Sequence, residues 1–378
     1  MIRNYLKIAW RNLTKYKFIS FINLFGLTVG LTCCLLILVY ILNEVSYDKF
    51  QPQADRTYRI SRSFHNEQGI ESLHLSAIAP AFGEPLLTAF PEIEKMTRLY
   101  SNGNTSFVYG DKKFFERKVF FADQNFSDVF KVNMVKGNSK KALEHPFTVI
   151  ITEEIAKKYF GDEDPIDKIV KLDNLMPCKV GGVFQSFPAN THMHPDVLIS
   201  FNTLNDSTIY GARNLQTSWG NNSFYTYIVL PKNYDASKMQ GRLPSFIDKY
   251  YHFPDEPPGF VGSKFTHLYL HKLTDIHLKS HLDDEIEANG DIKRVYIFSV
   301  IAFFILLTAD FAPFFMSYPA YSASCLTSRT PVSCSANSVF SLISCPINSA
   351  PFFISFPTYS APFFNLAISF SVILFILL

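Results

Sequence analysis

The chain has 378 residues, long enough for two domains, with 35 basic and 33 acidic residues and 48% hydrophobic composition. Its net charge of +2 averages three unlike regions: +5 over the first 43 residues, −3 between Glu44 and Ala309, and zero from Asp310 onward. The middle region has no basic patch, which excludes nucleic acid as an expected partner, and its lone Cys178 excludes a disulfide framework or a C-x-x-C zinc site.

At the start, Arg3, Lys7, Arg11 and Lys15 recur every fourth residue and Lys17 follows, with no acidic residue among them. On a helix the four make one basic stripe, with Tyr5, Ile8, Ala9, Leu13 and Tyr16 supplying apolar surface. Residues 1–17 are therefore expected as an amphipathic segment on the cytoplasmic face of the membrane, in contact with lipid. An ordinary positively charged flank without helical order is the alternative.

From Phe18 to Asn43 there is no charged residue. At ~1.5 Å per residue this run makes roughly 39 Å of helix, more than the ~30 Å hydrocarbon core requires. Residues 18–43 are expected as a tilted transmembrane helix. A secretory signal has an apolar centre of only about 7–15 residues and a small-residue cleavage site. This run is longer and ends Tyr40-Ile41-Leu42-Asn43-Glu44 with no such site, so retention is expected. Basic flanks stay inside, which places the chain from Glu44 onward outside. Gly26 and Gly30 form G-x-x-x-G, a spacing that lets membrane helices approach closely; incidental glycine is the other reading.

Residues 44–292 read as an extracytoplasmic α+β domain. "TYRISRSF" (57–64) alternates Tyr58 and Ile60 against Arg59 and Ser61, and "RKVFFAD" (117–123) is a second strand. In "FTVIITEEIAKKYFG" (147–161) a buried strand gives way to a helix capped by Thr152 and closed at Gly161, with Glu153 and Glu154 first and Lys157 and Lys158 last. "KIVKL" and "CKVGGVF" predict a hairpin-like pair, "SFPANTHMHPD" (186–196) a turn, and "NSFYTYIVLP" (222–231) a strand. "ASKMQGRLPSFIDKYY" (236–251) predicts a helix interrupted near Gly241 and Pro244.

Catalytic motifs are missing. No Walker-type loop, G-x-S-x-G or H-E-x-x-H occurs, so no nucleotide hydrolysis by that route, no cofactor and no metal is expected. His192 and His194 lie two apart without an evident carboxylate partner, and a polar turn is the expectation. "HLKSHLDDEIE" (277–287) carries two His and four acids, expected as the solvated face of a helix.

The order of segments, with the stretches "NYLKIAWRNLTKYKFISFINLFGLTVGL", "YDKFQPQADRTYRI", "FFADQNFSDVFKVNMVKGNSKKAL", "ITEEIAKKYFGDEDPIDKIV", "HPDVLISF" and "TDIHLKSHLDDEIEANGDIKRVYIFSVIAFFILLTA", resembles the permease subunits of MacB/FtsX-type ABC transporters over residues 1–309. Asp167 and Gly181 depart mildly from the pattern. The resemblance implies a multi-pass protein of the bacterial inner membrane with its large domain in the periplasm. It also implies a separate cytoplasmic ATPase subunit, a second permease copy or paralogue, and an unidentified extracytoplasmic substrate or partner protein. Catalysis would belong to the ATPase, and this chain would transmit its motion. A membrane-anchored extracytoplasmic sensor is the competing reading.

Residues 293–309 read as the start of a second membrane helix, but Val295 to Ala309 gives only 15 uncharged residues before Asp310, and Pro313 and Pro319 follow as expected helix breakers. The last 68 residues hold 14 Ser, 11 Phe and 7 Pro with no Lys, Asp or Glu, and "SAPFF" occurs at 349–353 and 360–364. Residues 310–378 are expected to be out of the ancestral reading frame, which reading the DNA in all six frames would test. Within them, 363–378 is a hydrophobic segment.

Overall fold

The computed structural model describes residues 17–325 apart from 174, 175, 254 and 255, together with 4, 7, 10, 11, 14 and 15. Two compact units divide the chain: residues 1–42 with 293–378, and Asn43–Ile292.

In the first unit, α1 (Lys17–Val45) includes a 26-residue stretch, Ser20–Val45, long and apolar enough to cross a membrane. Its threonines satisfy themselves, Thr28 Oγ1 donating to the Leu24 carbonyl (2.7 Å) and Thr32 Oγ1 to that of Thr28 (2.8 Å), as a helix in lipid requires. The later helix of this unit, Ile292–Cys325, packs on α1 through small side chains. Cys34 Sγ approaches the Ala302 carbonyl at 3.5 Å, Ser299 and Ala302 are buried, and Tyr40 meets Phe298 edge-on at 5.3 Å. This helical backbone runs past Ala309 and through Pro313 and Pro319 rather than stopping there. A proline inside a helix removes one backbone donor and strains one turn, and here the flanking turns carry the helix across. The Ser/Phe/Pro-rich stretch from 326, including 363–378, lies outside the described residues.

The second unit is a mixed sheet of eleven strands: β1 (Thr57–His65), β2 (Glu71–Leu75), β3 (Lys95–Tyr109), β4 (Lys112–Ala122), β5 (Met134–Gly137), β6 (Thr148–Thr152), β7 (Ile169–Leu172), β8 (Met176–Phe184), β9 (Val197–Ser200), β10 (Phe224–Val229) and β11 (Thr266–Lys272). The main path is β11-β1-β10-β3-β4-β9-β6-β8-β5, with β2 on β1 and β7 bridging β3 and β8. Helices α2 (Gly83–Ala89), α3 (Ser139–Glu144), α4 (Glu153–Phe160), α5 (Ala212–Thr217) and α6 (Ala236–Tyr250) cover it, α7 (Ile276–Lys279) follows β11, and the long helix Ile292–Cys325 is α8.

Both faces of the sheet are buried, and the two-residue period shows how. Val119, Phe121, Val149, Ile151, Val197 and Ile199 feed one core cluster, while their neighbours Phe120, Ile150 and Leu198 feed another. Strands covered on both sides therefore read as continuous apolar runs rather than alternating ones. A third cluster joins Ile60, Ile228 and Leu268 of the sheet to Phe82, Leu86, Met239, Leu243 and Phe246.

The turn into α4 matches its expected chemistry. Thr152 Oγ1 accepts from the Ile155 N–H at 3.3 Å, and Gly161 closes the helix at φ +65°. The interruption expected in 236–251 does not occur: α6 runs unbroken. Gly241 and Pro244 lie on its exposed side, while Met239, Leu243, Phe246 and Ile247 recur on the buried side. Packing of that stripe outweighs the missing Pro244 donor. Gln240 ties the same helix to the sheet edge, its Nε2 donating to the Leu268 carbonyl and its Oε1 accepting from the Leu270 N–H, both at 2.8 Å.

Candidate functional site

The second unit begins with the segment leaving α1 and ends with the segment leading to α8. Both are fastened to one face of the sheet by buried polar groups, and to each other.

The outgoing segment is held at Asp48, a buried residue in the left-handed region (φ +57°). Its carboxylate accepts from Thr191 Oγ1 (2.6 Å), from the His192 backbone N–H (3.2 Å) and from His192 Nδ1 (2.9 Å). Asn190 Nδ2 donates to Ser46 Oγ at 2.9 Å, and the Asp48 N–H donates to the Asn190 carbonyl. Because a carboxylate only accepts, His192 is assigned its proton on Nδ1, and its Nε2 accepts from the Tyr227 hydroxyl (2.7 Å). Asp48, His192 and Tyr227 thus form a relay with its far end in β10. Burial first of all pushes the Tyr227 phenol well above the usual tyrosine range, so it stays a hydroxyl donor.

The returning segment is held at Glu285. Arg59 of β1 has no exposed surface, and its Nη1 and Nη2 fork onto the two Glu285 oxygens at 2.6 and 2.7 Å. Ser280 Oγ joins both, accepting from Arg59 Nη2 at 3.0 Å and donating to Glu285 at 2.5 Å. Burial opposes the guanidinium charge, but the Glu285 hydrogen bonds and the nearby Tyr227 leave its pKa above the ordinary value. Arg59 Nε remains without a partner.

Arg59 and Tyr227 stand directly opposite each other in the β1–β10 register, and His271 stands opposite Arg59 across β11. The two chain segments therefore end on adjacent side chains of one cross-strand row. A third contact joins them directly. The His277 ring stacks on Tyr47 at 3.3 Å and 6°, and its Nε2 lies 3.0 Å from Glu44. Gly290 closes over this pair: a Cβ there would lie 2.6 Å from Glu44 Oε2 and 2.8 Å from His277 Nε2, so a larger residue would push these two side chains aside. His194 adds a fourth contact, its Nδ1 2.8 Å and its backbone N–H 3.0 Å from Glu287, with Lys118 at 3.8 Å from the same carboxylate.

Two expectations are revised here. His192 and His194 lie in the expected polar turn, and the fold gives each a carboxylate partner, Asp48 and Glu287, 144 and 93 residues away, that leaves no local signature. Residues 277–287 are not a solvated helix face: α7 ends at Lys279, and Glu285 and Glu287 are spent on Arg59 and His194. On β1, Arg59, Ser61 and Ser63 are all fully buried, Arg59 against Ser280 and Glu285. Among the described residues, no three His, Cys, Asp or Glu gather closely enough to hold a metal ion.

The sequence-expected site residues lie elsewhere. Lys7, Arg11, Lys15 and Lys17 are helical and exposed, while Arg3 is outside the described residues. Gly26 is exposed with no atom within 4 Å of an added Cβ, and Gly30 is half-buried. Between α1 and α8 the contact is made at Cys34, whose Sγ lies 3.5 Å from the Ala302 carbonyl.

The chain thus combines a helix apolar enough to cross a membrane with an α+β domain whose first and last segments are fastened side by side. The sequence profile of the MacB-like periplasmic core domain matches residues 20–245, and the chain belongs to that family. The family supplies the permease component of ABC transporters. A crystal structure of a domain of a Porphyromonas gingivalis protein described as a permease is 20% identical, with TM-score 0.50, over 65% of this chain and 98% of that one. The periplasmic region of MacB from Actinobacillus actinomycetemcomitans is 16% identical, TM-score 0.39, over 59% and 91%. The extracellular domain of the ABC-type transporter YknZ from Gram-positive bacteria is 13% identical, TM-score 0.39, over 56% and 99%. None of the curated proteins compared matches the chain.

Proposed function

We propose that this chain is a permease subunit that transmits the ATP-driven motion of a separate cytoplasmic ATPase to its extracytoplasmic domain. The single observation that carries the reading is the buried brace: residues 44–48 and 277–287 end on Tyr227 and Arg59, neighbours in one strand row. A displacement of either membrane-proximal segment is delivered to the same β1–β10 pair rather than dissipated in a loop. Hydrogen-bonded, desolvated groups are stiff because any relative slip strands a buried charge. The brace itself is inaccessible to a substrate, so it transmits force and performs no chemistry.

The same reading places the protein in the inner membrane of a bacterium, spanning more than once and working with a second permease copy. The loss of charge from Asp310 onward supports weak coupling by this chain as it stands, because a Lys/Arg-rich segment is what the family resemblance puts there to grip the ATPase. The test is detergent co-purification from the native cells with an ABC ATPase, followed by ATP hydrolysis in nanodiscs. Co-purification with weak stimulation is expected. No association at all would favour the sensor reading.

A further inference from the structure

The face of β1 that carries Arg59 continues through Ser61 and Ser63 to His65. On one side β2 brings Glu71 and His74 beside it, and on the other β11 brings His267, Tyr269 and His271. Four of the chain's ten histidines thus share one sheet face, next to the braced row. At its centre the Ser61 hydroxyl lies 3.0 Å from His74 Nε2 and 2.8 Å from His271 Nε2. A hydroxyl has one proton to give. With both rings neutral it donates to one and accepts from the other. With both rings protonated, two N–H groups point at its oxygen, its own hydrogen loses its acceptor, and two positive rings stand 5.9 Å apart, with His271 opposite Arg59. One step along, the His65 and His267 rings lie with centroids 4.2 Å apart.

We propose that this histidine face is a proton-sensitive catch: acid on the extracytoplasmic side loosens β2 and β11 from β1. Loosening β2 also frees the returning segment, whose Asp283 pairs with it through the Asp283 N–H to the His74 carbonyl (2.8 Å) and the Ser76 N–H to the Asp283 carbonyl (3.0 Å). As a regulator of the brace the catch rests on the permease reading, whereas its chemistry does not.

The groups facing the two rings set the sign. Burial, then Arg59 and His74, push His271 down to about 4, against the weaker pull of Glu285 and Asp275. Burial also lowers His74, opposed by Glu71 and Asp283 and aided by His65. A histidine whose pKa is depressed in the fastened state binds protons more strongly once released. Above about pH 6.5 the catch is therefore unaffected, and between about 6.5 and 4 each step toward acid favours release. For His271 alone, linkage gives roughly thirty-fold at pH 5.

Hydrogen–deuterium exchange on the full chain in nanodiscs tests this, with labelling times scaled so that intrinsic exchange is equal at pH 7.5 and 5.0. Amides of 71–75 and 266–272 are expected to lose about thirty-fold protection at pH 5, while those of α4 keep theirs. The double variant His74→Gln, His271→Gln retains amide hydrogen bonds without titrating and is expected to be flat. Unchanged protection in the wild type, or equal loosening in the variant, overturns the catch. Should the variant not fold, exchange of the imidazole C2 proton in the wild type decides: a His271 midpoint below about 5.5 is expected, and any higher value overturns the proposal. ATPase co-purification is independent of both measurements, so failure of the permease reading and failure of the catch are told apart.

Discussion

Arg59 has no exposed surface, and its charge depends on Glu285. Removing one partner of such a pair strands a desolvated charge, at about 3–5 kcal/mol, whereas replacing both with apolar residues of similar size is often neutral. Glu285→Ala is therefore expected to lower the thermal midpoint of the detergent-solubilised chain far more than the double change Arg59→Met, Glu285→Leu. Equal losses in chemical denaturation would show that the pair carries no special burden. Little of this was legible beforehand. The alternation in "TYRISRSF" put Arg59 and Ser61 on one face correctly, but whether a polar face meets water depends on what covers it. Here the cover is a segment more than two hundred residues further on. His192 and His194 were likewise visible as a pair, while Asp48 and Glu287 became their partners only through the fold.

Among the elements, the strand and helix of 148–160 were readable almost residue by residue because every signal there is local: cap, charge order and terminal glycine. Thr152→Ala is expected to cost about 1 kcal/mol, since the Ile155 N–H loses its side-chain acceptor. Differential scanning calorimetry should show a small downward shift without loss of cooperativity, and a shift as large as that of Glu285→Ala would contradict a purely local cap. Elements decided by tertiary contact were misread. α6 survives Gly241 and Pro244 because its buried stripe holds it, and α8 continues through Pro313 and Pro319. Residues 277–287 were expected as the solvated face of a helix, but beyond Lys279 they run as a strap because Glu285 and Glu287 each answer a distant group.

At the scale of the whole molecule, the reading places 44–292 outside the cytoplasm. A cysteine introduced at exposed Lys113 should react with a membrane-impermeant maleimide in cells whose outer barrier is opened, and one at Lys7 should not; native Cys178 is buried and silent. Labelling at position 7 but not at 113 would invert the topology. A protein confined to a membrane meets its own copies at high local density, and an open sheet margin would invite them to zip together. The amide of Gln240 already occupies the Leu268 carbonyl and the Leu270 N–H on the outer margin of β11. One side chain thus bars a stray strand from adding to β11 at that register.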